Sequence, residues 1–394
     1  MRPLALLLSL VLACAAQADP VTERGRAIYA GDAGSDVQVR VGDRLRPARG
    51  ITCAGCHGHD AEGGAEVQSG PAIDWSTLIA RGYTEGSFVR ALTQGVAPDG
   101  TPLVGAMPRL AFRDPQDVTA LVAFLRQIRD EQRIGITDDS ITFQRPPPHP
   151  ALAPFWQAFQ AQLTALAPLG IYGRRIRLAE TAGFARIGAL RPDGGADQPS
   201  LFPLHPLVGD EDPARIRGGF ATLAAQVLAV AERHPRMALL ADPGTLERLA
   251  GILPDRGIAF VAGDGPPRRD HHLMVLGADL LRATPRGPTL ATTLDDLALA
   301  LPPGRGCIQA TDPRPGDAGT ESAMIRYGRT AATVLTQALR LCGADCTRAG
   351  LMRAFDRIEA ISPADWPDLD YTTHPLTGTD QVRILDICNP ADAP

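Results

Sequence analysis

Apolar residues recur at helical spacing in two stretches near the start of the chain. Over 114–130, Val118, Leu121, Val122, Phe124 and Leu125 share one face, with Asp117 near the start of the run. Over 20–30, Gly25 and Tyr29 lie four apart, so one face is small and then aromatic. The arginine-bearing segment 31–50 between Gly31 and Gly50 reads as a loop. Beyond residue 133 short apolar runs alternate with longer helical ones. The runs 176–178, 185–190, 237–240, 258–261 and 272–276 read as strands, and 154–167, 215–233, 246–252, 323–341 and 347–360 read as helices. That alternation predicts an α/β architecture with mostly parallel sheets. The run from Arg145 to Pro150 holds four prolines and can neither continue a helix nor pair in the middle of a sheet. Because 136–143 has strand character, the boundary is placed near Arg133 and the prolines become a loop inside the second domain.

Composition narrows the class. The chain has 394 residues, 44% hydrophobic and 21% charged, which gives room for two or three domains with buried cores. It is too apolar to be disordered, and no run reaches the roughly 20 apolar residues of a membrane span. A formal charge of −5 argues against a general nucleic-acid binder. All 39 basic residues are arginine and none is lysine, so any basic docking surface must be built from arginine.

The first 18 residues have the form of an export signal. Arg2 gives a positive start, residues 4–13 an apolar middle, and Ala16-Gln17-Ala18 a small-x-small cleavage site. The stretch Val11-Leu12-Ala13-Cys14 resembles a bacterial lipobox, which would place a lipid on Cys14 and tie the protein to a membrane. Either route exports the mature protein and implies a periplasmic location. The domains expected are a signal peptide at 1–18, a first domain at 19–133 and a second at 134–394.

Residues 53–57 read Cys-Ala-Gly-Cys-His, the C-x-x-C-H pattern of covalent c-type haem attachment. Two thiols spaced by two residues can reach both vinyl groups of one porphyrin, and the adjacent His57 then meets the iron. Three other readings compete. A thioredoxin-like dithiol has no use for His57. A zinc site would need a second Cys or His pair nearby, yet the next cysteine is Cys307. A plain disulfide leaves His57 unexplained. Between His57 and residue 133 the one methionine is Met107, followed by Pro108, which holds the loop extended. A lone methionine is often core filler; here its position and uniqueness point to the second axial ligand. A thioether is soft and neutral, favours ferrous iron and raises the reduction potential. His59 is too close to His57 along the chain to reach the opposite face of the ring.

With both ligand motifs in place, residues 20–133 resemble a mono-haem class I cytochrome c, an all-α fold. The similarity runs through Cys53-Ala54-Gly55-Cys56-His57-Gly58, Gly63-Gly64, Pro71-x-Ile73-x-Trp75, Gly95-x-x-Pro98-Asp99-Gly100 and Met107-Pro108-Arg109. The resemblance implies one covalent haem c, with His57 and Met107 on the iron. It also implies a crossing of the first and last helices, here Gly25 and Tyr29 against Phe124. Arg109 could pair with a haem propionate and Trp75 could donate its indole N–H to one; a surface arginine and a packed tryptophan are the plainer alternatives. Arg40, Arg44, Arg46 and Arg49 could dock an acidic redox partner, or simply belong to a solvated loop.

The second domain resembles leucine-binding-type (type I) periplasmic substrate-binding proteins, which have two lobes. The segments that carry this are 170–178 (GIYGRRIRL), 200–204 (SLFPL) and the tail pieces 331–341, 347–355 and 377–387. The domain is shorter than the family's usual length, and 242–270 has no clear counterpart. Receptors of this family hold amino-acid zwitterions with hydroxyls, backbone groups and an acidic residue. His205, Asp210, Asp242 and Tyr327 are candidates for such a set, each with a structural role as its alternative. A binding fold does not by itself establish a ligand. In an oxidising compartment Cys342 and Cys346, flanking Gly343-Ala344-Asp345, can close a short loop as a disulfide, which leaves Cys307 and Cys388 to pair; four cysteines allow three connectivities.

The function expected is single-electron transfer by an exported c-type cytochrome, taking electrons from a periplasmic donor such as a quinoprotein dehydrogenase and passing them to an acceptor. The second domain would sense a small-molecule ligand or dock the partner. An alternative makes it primary, as an ABC-transporter-type solute receptor whose haem reports redox state. A haem enzyme such as a peroxidase would need an open iron position, which Met107 would block, so the chain is expected to be a carrier and not an enzyme.

Overall fold

The computed structural model describes residues 19–388 apart from 34–35, 43, 49–50, 64–69, 104–106, 191–197, 254–256, 263–270, 285–289, 294–306, 314–321 and 364–365. The expected signal peptide, Cys14 and Arg49 lie outside the described residues. The chain divides into two compact units, residues 1–132 and 133–394.

The N-terminal unit is framed by α1 (Pro20–Ala30) and α5 (Gln116–Glu131). Asp19 caps α1, its carboxylate accepting from the Val21 amide, and Pro20 supplies a preset first turn. Gly31 ends it in the left-handed region at φ 86°, its N–H returned to the carbonyls of Ala27 and Ile28. The two helices cross at Gly25, where Tyr29 and Phe124 also meet with ring centroids 5.3 Å apart. Arg24 ties the crossing with a two-point bond to the buried Asp117, at 2.7 and 2.9 Å. Three shorter helices, α2 (Cys53–His57), α3 (Trp75–Ala80) and α4 (Glu85–Gln94), complete the helical frame.

The segment read as a loop at 31–50 instead contains a hairpin. Strands β1 (Val37–Val41) and β2 (Arg44–Pro47) pair antiparallel, and β1 pairs on its other side with β3 (Arg109–Phe112). Val37 and Val39 are buried while Gln38 and Arg40 face outward, the alternation that makes a one-sided strand.

The C-terminal unit is an α/β domain with two sheets. The first is five-stranded and wholly parallel, in the order β5 (Arg175–Ala179), β4 (Ser140–Gln144), β6 (Arg186–Ile187), β7 (Ser200–Leu201), β8 (Ile216–Arg217). The second has six strands in the order β10 (Ile258–Ala262), β9 (Met237–Ala241), β11 (His272–Val275), β12 (Leu290–Thr293), β13 (Cys307–Asp312), β14 (Arg383–Cys388); only β14 runs antiparallel. Every residue of β11 and β12 is buried, as strands covered on both faces require.

Helices α6 (Ala153–Leu166), α10 (Ala323–Cys342) and α11 (Arg348–Phe355) pack with the first sheet around Phe143, Phe155, Phe159, Phe202 and Tyr327. α6 and α10 touch backbone to backbone, since a Cβ on Gly328 would stand 2.3 Å from the Phe155 carbonyl oxygen. Helix α7 (Leu223–Arg233) and α8 (Pro243–Ile252) pack with the second sheet, and the short α9 (Ala278–Ala283) joins its other face. The chain therefore leaves the first sheet after β8, returns to it with α10 and α11, and crosses again to place β14.

Two boundaries differ from the sequence pattern for local reasons. The helix read from 215 starts only at Leu223, because residues 216–217 pair with β7 and Thr222 caps the helix through the Ala225 amide. The helix read to 360 stops at Phe355, where Asp356 is engaged by Arg217. Cys342 and Cys346 are joined as a disulfide between α10 and α11, with Cα atoms 5.2 Å apart. In the antiparallel register of β13 and β14, Cys307 stands opposite Cys388.

Candidate haem-binding site

Helix α2 is a single turn whose residues are the Cys-Ala-Gly-Cys-His motif. Thr52 caps it, the side-chain oxygen accepting from the Gly55 amide at 2.8 Å, and Gly58 at φ 80° lets the chain turn away at once. Tyr29 pins that turn from α1 by donating its hydroxyl to the Gly58 carbonyl at 2.6 Å.

His57 is buried and held in one orientation. Its Nδ1 lies 2.7 Å from the Pro71 carbonyl oxygen, which can only accept, so Nδ1 carries the proton and Nε2 keeps its lone pair. A ligating histidine is prepared in this way by a partner on its other nitrogen. Gly70 lets the backbone at 70–71 approach the ring, since a Cβ there would sit 2.7 Å from His57 Nδ1. Burial lowers the His57 pKa, with the Pro71 bond opposing it, so the neutral, ligand-competent ring is favoured.

No disulfide joins Cys53 and Cys56. Desolvation pushes the Cys53 thiol up to about 11. A dithiol built for exchange has the opposite character, a depressed pKa, so the thioredoxin-like reading finds no support in this environment.

Cys53, Cys56, His57 and Met107 all line one cavity of about 580 Å³. The rest of its wall is largely apolar, with Ile28, Leu78, Phe88, Leu92 and Leu121 among its members. An apolar chamber with two thiols, an imidazole of fixed tautomer and a thioether is the donor set a covalently held haem requires. The residues present fit that group: Cys53 and Cys56 would carry the thioether links, and His57 and Met107 would be its axial pair.

The weaker candidates separate here. Arg109 donates from Nη1 to the Met107 carbonyl at 2.8 Å and from Nη2 to the Leu103 carbonyl at 3.2 Å, contacts to the methionine loop. Trp75 packs edge-on against Phe88 at 5.7 Å, with Arg126 over its ring. Arg40, Arg44 and Arg46 are exposed, and the β1–β2 register puts Arg44 and Arg46 on the face opposite to Arg40. They do not form one basic face.

In the C-terminal unit, three of the four ligand candidates have structural work. Asp210 is engaged by Arg248, Asp242 caps α8 through the Thr245 amide at 3.0 Å, and the buried Tyr327 donates to the Pro203 carbonyl at 3.2 Å. His205 is exposed, with Nδ1 3.1 Å from the Pro206 carbonyl. Sequence reasoning missed the Pro71 carbonyl and Tyr29 as supports of α2, because a backbone acceptor has no residue signature.

No curated protein matches the chain. The family model described as cytochrome c matches residues 23–129. Among solved structures, the chain is similar to a fatty acid ABC transporter substrate-binding protein from Thermomonospora curvata, with 12% identity, a TM-score of 0.45, and 64% of this chain and 90% of that chain covered. It is similar also to a putative branched-chain amino acid ABC transporter protein from Rhodospirillum rubrum, with 13% identity, a TM-score of 0.42 and coverages of 64% and 98%. A leucine binding protein from Thermotoga maritima shows 11% identity, a TM-score of 0.43 and coverages of 65% and 100%. The family model thus marks a cytochrome c domain at residues 23–129, and an α/β domain with two mostly parallel sheets follows it.

Proposed function

We propose that this chain is an exported single-electron carrier, with one haem c attached through Cys53 and Cys56 and ligated by His57 and Met107. The observation that carries this reading is the meeting of those four side chains at one apolar cavity. A haem held there would supply an iron that passes between ferric and ferrous states. The protein's part is to attach it, to exclude water with the apolar wall, and to set the axial donors. Burial keeps His57 neutral, the Pro71 carbonyl holds its proton on Nδ1 so that Nε2 keeps the lone pair, and the thioether of Met107 would favour the reduced state. With His57 and Met107 both holding the haem, no open iron position would be left for peroxide or oxygen, and the protein would carry electrons.

The donor on this reading is a periplasmic redox protein such as a quinoprotein dehydrogenase, and the C-terminal unit either docks the partner or senses a small-molecule ligand. A pyridine haemochrome spectrum should give one haem c per chain. The ferric protein should show the iron–thioether absorption band, and Met107→Ala should lose it. A wild-type protein that lacks the band and binds cyanide rapidly would overturn the carrier reading. Ligand screening by thermal shift on the full chain separates the two roles of the C-terminal unit: a saturable hit supports sensing, and none with fast reduction by the dehydrogenase supports docking.

A further inference from the structure

We propose that Arg109 is a positioning residue that clamps the loop bearing Met107 and so keeps its thioether on the iron. The proposal rests on the reading of Met107 as an axial ligand. Arg109 opens β3, directly after the loop it holds. One guanidinium reaches both described ends of that loop, donating to the Met107 carbonyl at 2.8 Å and the Leu103 carbonyl at 3.2 Å. Arginine suits this task because its planar fork presents several donors in fixed geometry, which an ammonium group does not.

A third contact anchors the guanidinium to the helical frame. Gly95 ends α4 in the left-handed region at φ 71°, and a Cβ there would lie 1.8 Å from Arg109 Cζ. The guanidinium therefore occupies the space that any other residue at 95 would fill. The Gly95 carbonyl in turn accepts from the Leu103 amide at 2.7 Å. The end of α4, the start of the methionine loop and Arg109 form a closed set of contacts. The last turn of α4 also favours a cation, because its carbonyl ends carry partial negative charge.

The position has a cost that makes its occupation informative. Across the β1–β3 pair Arg109 stands directly opposite Arg40, and like charges in that register oppose pairing. A residue chosen only to complete the strand would not be a second arginine. The carbonyl contacts offset that repulsion.

The clamp predicts how easily the thioether is displaced. In ferric holoprotein, imidazole should bind at least tenfold faster to Arg109→Leu than to wild type, with a weakened iron–thioether band. Arg109→Lys should lie between the two, because one ammonium cannot span both carbonyls. Where Arg109→Leu fails to assemble, Gly95→Ala carries the test, since its Cβ expels the guanidinium and should also speed imidazole binding. A wild-type protein with the band, and variants with unchanged band and imidazole rate, would overturn the clamp and leave Met107 as ligand. A wild type without the band would overturn both. A shifted reduction potential with an unchanged imidazole rate would return Arg109 to the propionate and overturn the clamp.

Discussion

A Cβ built on Gly25 would stand 2.0 Å from the carbonyl oxygen of Ala120. The obstacle is backbone in the middle of α5, so no side-chain adjustment can relieve it, and α1 and α5 would have to part. Gly25→Ala is therefore expected to destabilise the cytochrome c domain by about 3 kcal/mol, at the upper end of the usual cost of overpacking. The separation should also loosen Tyr29, which pins α2 from the same helix. Denaturant unfolding followed at the haem Soret band checks this. A change below about 0.5 kcal/mol would mean that the helices do not cross at this residue.

Arg217 is 2% exposed, and its Nη2 bonds both the Asp356 carboxylate at 2.5 Å and the Met352 carbonyl at 3.2 Å. The pair joins the end of β8 to the end of α11. Replacing the charge by an apolar chain of similar length removes both the attraction and the desolvation cost, whereas removing only the acid strands a buried cation. Asp356→Ala should thus cost about 2 kcal/mol, a value reduced because the carboxylate is half exposed. Arg217→Met should cost less, about 1 kcal/mol. Urea unfolding followed by Trp156 and Trp366 fluorescence ranks them, and the reverse order would show that the pair is not held by charge.

Local spacing explains what the sequence made readable. The Cys53–His57 motif lies within one helical turn, and Met107 was the lone thioether in reach, so the four side chains that meet at the cavity could be named without tertiary knowledge. The Gly25–Tyr29 face and the strands β9, β10 and β11 were visible as periodicity. The β1–β2 hairpin was missed although Val37, Val39 and Val41 alternate with Gln38 and Arg40, because the arginines drew the reading toward a solvated loop. The role of Arg109 was not readable at all. Its partners are carbonyls of Leu103 and Met107, and backbone atoms leave no mark in composition. Asp242 and Tyr327 show the two sides of that reading: Asp242 caps α8 just after β9, and Tyr327, inside α10, donates to the Pro203 carbonyl, the structural alternatives the sequence already offered.

Cysteine mapping gives a covalent check on the C-terminal unit. Cys342 and Cys346 are bonded, and the β13–β14 register sets the backbone of Cys307 opposite that of Cys388. A digest of the unreduced protein should give two linked peptides, 342–346 and 307–388, with Cys53 and Cys56 recovered on the haem peptide. Crossed links, such as 307 with 342, would contradict the strand register. Reduction should lower the stability of this unit by more through the second link than through the first, because the 307–388 loop is far longer.

The rings of His234 and His272 stack at 3.6 Å with only 2° between their planes. Gln309 Nε2 donates to Asp386 at 3.2 Å, which turns its Oε1 toward His234, and His234 Nε2 therefore donates to it at 2.9 Å. His272 is buried at the start of β11, and its Nε2 has no hydrogen-bond partner among the described residues. Burial, with the neighbouring His234 adding to it, lowers the His272 pKa from its ordinary 6.5 to about 4. In the unfolded chain this ring takes up a proton below about pH 6.5, while in the folded protein it stays neutral until about pH 4. Stability from this site is therefore complete above pH 6.5, falls as the pH drops between those values, and levels off below them. Allowing for partial solvent screening of the stacked pair, the loss should be on the order of 2 kcal/mol. His272→Phe keeps a flat buried ring without the titration, so its urea midpoint, followed by Trp156 and Trp366 fluorescence, should change less with pH across this window than that of wild type. Parallel pH profiles for the two proteins would show that His272 is not the group responsible.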